Sequence, residues 1–236
     1  MTFNSKMKAV TFSFDDAVTQ DARLIGIFDK YGLKCTFNLN SRRLNEAKIL
    51  EVNGRSVAWA KPKPEELARI YKDHEIASHT LSHPNLSTRS KKEIIREVEK
   101  DRIALSEIAG YEVVGFAYPG GTGCVDEDVT ETVRKDTGVK YARTTTATGS
   151  FELPKDLYML DPTVHHSDMD RMFELGKEFL ALKPDSPKLF YIWGHAYELD
   201  AYDGAWERFD DFCRMISGKD DIFYGTNTEC LRELFD

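Results

Sequence analysis

The sequence predicts an α/β protein, a distorted (β/α) barrel of about seven parallel strands with its helices outside. Three observations carry this. Short apolar runs alternate with amphipathic helical stretches along the whole chain. No Gly-x-Gly-x-x-Gly follows the first run, which removes the dinucleotide-binding version of an open sheet. Reactive polar residues fall directly after several of the apolar runs, and in a parallel barrel those strand ends share one face. A length of 236 residues suits one barrel, so residues 1–236 are expected to form a single domain.

Each element follows from local pattern. Ala9 to Phe14 is β-branched and aromatic, reads as a buried strand, and stops at Asp15-Asp16. Leu24, Ile27, Phe28 and Tyr31 recur at helical spacing before Gly32, a natural helix stop. Cys35 to Leu39 is the second strand. Residues 49–60 read as an inserted hairpin turning at Asn53-Gly54, the type I′ signal. Pro64 opens a helix reaching about Lys72, and Glu75 to Ser78 is the third strand.

Ser90 and Glu93 form a capping box, and Ile94, Val98, Leu105 and Ile108 line one helical face up to Gly110. Val113 to Tyr118 is the fourth strand, broken by Pro119-Gly120-Gly121. Asp126 caps a helix closed by Gly138, and Val139 to Thr145 is the fifth strand. Tyr158 to Val164 is the sixth, made irregular by Pro162. A helix through Met169, Met172, Phe173 and Phe179 stops before Pro184. Leu189 to Trp193 is the seventh strand, Trp206 to Ile216 a further helix, and Ile222 to Tyr224 a short eighth strand.

Composition narrows the function. With 32 basic and 40 acidic residues the net charge is −8, which argues against a nucleic-acid partner. No apolar run reaches the roughly 18 residues that a membrane span needs. Met1 to Lys8 contains no apolar signal core, so the expectation is a cytoplasmic protein, or a secreted or envelope one if the natural chain begins earlier. Cys35, Cys124, Cys213 and Cys230 form no Cys-x-x-Cys pair and read as reduced thiols.

The chemistry lies with aspartate and histidine. Asp15 and Asp16 end strand one, His79 and His83 follow strand three, Tyr118 to Gly121 follow strand four and His195 follows strand seven. The four-residue spacing of His79 and His83, set on a helical turn, puts two rings on one side and lets them chelate one metal. A carboxylate from the Asp15-Asp16 pair completes a His, His, Asp set with open positions for water and substrate. Adjacent carboxylates repel unless a cation or proton offsets them, so one as ligand and one as base is a stable division of labour.

Together these residues resemble the polysaccharide deacetylase family, the nodulation-protein-like carbohydrate esterase family 4. Thr11-Phe12-Ser13-Phe14-Asp15-Asp16 is similar to its first motif and His79-Thr80-Leu81-Ser82-His83 to its second. Phe116 to Gly121 and Ile192 to His195 are variants of later motifs. The resemblance implies a distorted barrel and a metal-dependent hydrolase that removes acetate from an N-acetylated sugar or oligosaccharide. It implies Asp15 as general base, Asp16, His79 and His83 as ligands of a divalent metal, usually zinc, and His195 as general acid. The amide near Gly120 would hold the oxyanion, and Tyr118 and Trp193 would line the substrate pocket.

Ala117 stands where the family carries an arginine that orients the base, and Arg143 on strand five is the candidate replacement. Asp161 is the candidate orienter of His195. His165-His166 with Asp168 and Asp170 is read as a loop at the groove rim rather than a second metal site, while Glu198 and Asp200 are candidates for contact with polar substrate groups. Hydrolysis of a non-sugar C–N bond and silent carbohydrate binding remain the alternatives.

Overall fold

The structure is a computed structural model describing residues 2–235. In chain order the elements are β1 (Lys8–Asp15), α1 (Asp21–Tyr31), β2 (Cys35–Leu39), β3 (Ala47–Val52), β4 (Arg55–Ala60), α2 (Pro64–Ile70), β5 (Glu75–Ser78), α3 (Lys91–Ala109) and β6 (Gly115–Ala117). They continue with α4 (Glu127–Asp136), β7 (Tyr141–Arg143), β8 (Val164–His165), α5 (Met169–Ala181), β9 (Lys188–Gly194), α6 (Ala205–Ile216), β10 (Ile222–Tyr224) and α7 (Asn227–Leu231).

The main sheet runs β7-β6-β5-β2-β1-β9-β8, and all its pairings are parallel. It curls until β7 and β8 are joined through one segment. Leu160 bridges to Arg143 of β7, and Thr163 donates to the carbonyl of Tyr191 on β9. This is the expected sixth strand in broken form: Pro162 has no N–H for a ladder, so regular pairing survives only at Val164–His165. The strands expected over 113–118 and 139–145 are likewise shorter, at Gly115–Ala117 and Tyr141–Arg143. β10 pairs with the first half of β1, beside the β2 register.

Alternation along β1 separates two environments. Val10, Phe12 and Phe14 face outward into an apolar core shared with Leu24 and Phe28 of α1 and Phe209 of α6. Thr11, Ser13 and Asp15 belong to the other face, where the barrel interior is polar. Thr11 donates to Asn227 at 2.9 Å, and Asn38 donates to both Ser13 and Asp15 at 2.8 Å. Every such buried polar group needs a partner, so this chain of hydrogen bonds sets the register on which the site depends.

The hairpin of β3 and β4 turns where the sequence places it. Asn53 and Gly54 both have positive φ, 51° and 70°, as a type I′ turn requires. Its inner residues Val57 and Trp59 are buried, and Arg55 pairs with Asp203 at 2.7 Å beyond β9. The capping box of Ser90 and Glu93 forms, and Gly32 and Gly110 close α1 and α3 in left-handed conformation.

Candidate active site

β1 delivers Asp15 and Asp16, β5 delivers His79 and His83, β7 delivers Arg143, and β9 delivers Trp193 and His195, all at one end of the barrel. They line a cleft of about 510 Å³ together with Gly120, Gly121, Thr145, His165, Tyr197 and Glu198; Arg143 lies beneath its floor.

Asp15 accepts from Arg143 Nη2 at 2.6 Å on Oδ1, with Oδ2 also in reach, and from Asn38. Burial alone would raise its pKa, but Arg143, His79 and His195 outweigh burial and hold it below the ordinary carboxylate value. Arg143 is itself fully buried, with its guanidinium 4.5 Å from the Trp193 ring.

Asp16, His79 and His83 bring one ligand atom each within 4.8 Å of one another. The two rings do not meet on a helical turn as the spacing suggests. They meet across a loop in which Thr80 and His83 are left-handed, φ 67° and 60°, with ring centroids 4.8 Å apart. Asp16 is also left-handed at φ 82°. Non-glycine residues there cost about 1–3 kcal/mol each, so surrounding contacts must impose the shape. Asp16 N–H donates to Asn38 at 3.0 Å, and Asp101 of α3 accepts from Ser41 N and Ser78 Oγ at 2.7 Å and from His79 N at 3.2 Å.

These three residues fit a divalent metal on two observations. Oδ1 of Asp16 is buried and has no hydrogen-bond donor. His79 Nδ1 lies 2.7 Å from the Ala117 carbonyl, which can only accept, so the proton sits on Nδ1 and Nε2 keeps a bare lone pair toward the aspartates. Burial lowers the pKa of His79 to about 4 and also lowers that of His83, which keeps both rings neutral, the form a metal binds. For Asp16 burial is outweighed by His195, Lys61, His79 and His83, and its pKa falls to about 2.

Sequence reasoning missed Lys61 here, and it marked Glu198 for contact with substrate rather than with His195. Lys61, just after the hairpin, is buried with Nζ 3.8 Å from Asp16 Oδ1, and donates to Asn40 at 2.8 Å. Asn40 in turn donates to the His79 and Thr80 carbonyls. Glu198 faces His195, with Oε1 3.4 Å from Nδ1. Burial would lower the His195 pKa, but Glu198, Asp15 and Asp16 raise it to about 9. The only advance signal was position: Glu198 lies three residues after His195, in a short 3-10 turn.

One expectation is corrected. Asp161 does not serve His195; its carboxylate accepts from Thr144 Oγ1, because the break at Pro162 places it beside β7. Tyr118 is among the residues lining the cleft, although it is almost wholly buried. Its ring packs edge-on to Phe116 at 5.0 Å in the outer core, and its hydroxyl donates to Tyr158 at 3.0 Å. Asp168 and Asp170 do not join His165 and His166: Asp168 caps α5, and Asp170 pairs with Arg208.

The polysaccharide deacetylase family model matches residues 3–142, more than half of the chain. The chain belongs to the polysaccharide deacetylase family. Solved structures carry the likeness across nearly its full length. One described as a candidate polysaccharide deacetylase from Mycobacterium smegmatis is 18% identical, with TM-score 0.70 over 97% of this chain and 90% of that one. A family 4 acetyl xylan esterase from Clostridium thermocellum, in complex with a cobalt ion, is 16% identical, with TM-score 0.58 over 96% and 91%. A family 4 pseudoenzyme from Bacillus anthracis is 19% identical, with TM-score 0.55 over 95% of this chain and 66% of that one. At these identities the structures speak for the fold, the curled barrel that this polysaccharide deacetylase family member shares with them.

Proposed function

We propose that this chain is a metal-dependent N-deacetylase that acts on an N-acetylated sugar or short oligosaccharide and releases acetate. The observation that supports this best is the joining, in one cleft, of the Asp16, His79 and His83 cluster with a second carboxylate, Asp15, gripped by Arg143. Asp16, His79 and His83 would hold the metal. Bound there, a metal such as zinc polarises the acetamide carbonyl and lowers the pKa of water, to about 7 in favourable sites.

The protein's own groups do the rest. Asp15 accepts the proton of the attacking water, and Arg143 keeps that carboxylate ionised and aimed. The amide near Gly120 donates to the oxygen that gains charge. His195, across the cleft, gives a proton to the departing amine, and Glu198 keeps it protonated until then. Trp193 walls the pocket where the acetyl methyl would sit.

Acetate release from N-acetylated mono- and oligosaccharides, after chelation and again after zinc is returned, tests the proposal. Metal-dependent release on at least one sugar is expected. Release from none of a broad panel overturns it and leaves silent binding or a non-sugar amide.

A further inference from the structure

The cleft contains a second group of metal-type ligands that shares no residue with Asp16, His79 and His83. His165, His195 and Glu198 each offer one ligand atom, and these atoms lie within 4.8 Å of one another. Glu198 is the centre. Its Oε1 is 3.4 Å from His195 Nδ1 and its Oε2 is 3.4 Å from His165 Nε2.

Two features separate this arrangement from an ordinary hydrogen-bonded cluster. First, His195 Nδ1 is buried and makes no hydrogen bond, although the carboxylate stands beside it. Second, ligands bonded to zinc at about 2.0–2.1 Å sit roughly 3.3 Å apart along a tetrahedral edge, and both approaches of a histidine nitrogen to the Glu198 carboxylate are 3.4 Å. His165 Nδ1 accepts from Ser167 N–H at 3.2 Å, with Ser167 Oγ 2.7 Å away, so the ring proton sits on Nε2 beside Glu198 and leaves when a cation binds. His166 Nε2 lies 2.8 Å from Glu198 Oε2 and holds that carboxylate in place.

We propose that His165, His195 and Glu198 form a second, inhibitory site for a zinc-type divalent cation. Binding displaces the proton from His195 Nδ1 to solvent and ties the ring to the cation, so His195 no longer exists as the imidazolium that serves the leaving amine. The inhibitory part rests on the acid role proposed above for His195; the site itself does not.

The test is a zinc titration of the full chain against a chromophoric chelator, with acetate release followed in parallel. The intact protein is expected to bind two zinc ions, with activity rising over the first equivalent and falling at least tenfold over the second. His165→Gln is expected to bind one and to show no fall. His83→Gln is expected to retain the other one. One ion in the intact protein, or two in His165→Gln, overturns the proposal. Two ions with no acetate release by any form leaves the second site standing and removes the deacetylase reading instead.

Discussion

The guanidinium of Arg143, at the end of β7, closes on the carboxylate of Asp15, at the end of β1, across 128 residues of sequence. Both side chains are shut off from solvent, at 0% and 3% exposure. Removing one partner of such a pair strands a buried charge and costs about 3–5 kcal/mol. Arg143→Met is therefore expected to lower the unfolding free energy by about that amount in urea titrations, and to lower turnover about 10²-fold through misplacement of Asp15. Arg143→Lys should recover part of the stability and little of the turnover, because an ammonium lacks the guanidinium fork. Unchanged turnover in both variants would remove Arg143 from the reaction.

Glu198 is expected to set the alkaline limb of the pH profile. An acid works only while protonated, so activity is lost as pH rises through the His195 pKa, raised to about 9 with Glu198 as a main cause. Glu198→Gln removes that cause, so the limb in kcat/KM should move to lower pH. Asp161→Asn, whose carboxylate serves Thr144, should leave the limb in place. The reverse pattern would restore Asp161 as the partner of His195.

Gly194 is a packing constraint on the same cluster. A Cβ built there would lie 1.8 Å from His166 Cδ2, and its φ of 157° is one that side chains rarely adopt. Gly194→Ala must push the His166 ring off Glu198, so a lower melting temperature and lower activity are expected together. A variant with native melting behaviour would show that the His166 ring can yield.

The extent of this site that could be read beforehand follows from range. Asp15 and Asp16 were legible because they end a run of strand-forming residues, and parallel strands present their ends on one face. Arg143, inside the expected fifth strand, was legible only as the replacement for the arginine that the family resemblance implied. His79 and His83 were legible as a pair, although their meeting depends on left-handed backbone at Thr80 and His83 that no spacing rule reveals. Lys61 was hidden because only the folding of the hairpin carries it to Asp16. Asp161 was misread because Pro162 breaks the strand that was to aim it. α7 was missed because its five residues are too few for a periodic pattern.

Asp21 gives a prediction away from the cleft. Burial raises its pKa to about 8, against a donated hydrogen bond of 2.7 Å from Tyr71. The unfolded carboxyl titrates near 3.8, so between there and about 8 the native state holds the Asp21 proton more tightly and the contribution of Asp21 to stability falls as pH rises. Asp21→Asn mimics the protonated form. Its stability relative to the parent's should therefore rise with pH across that window, in denaturant titrations at both ends. Variant and parent curves that run parallel across the window would contradict the assignment.

The division of labour between the two adjacent aspartates is the centre of the proposed chemistry, and one paired measurement tests it: zinc binding at one equivalent and acetate release, in Asp15→Asn and Asp16→Asn, each combined with His165→Gln so that only the first site can bind. The expected result is that Asp15→Asn keeps zinc and loses acetate release, whereas Asp16→Asn loses both. Loss of zinc in Asp15→Asn with retention in Asp16→Asn would contradict it and exchange their roles.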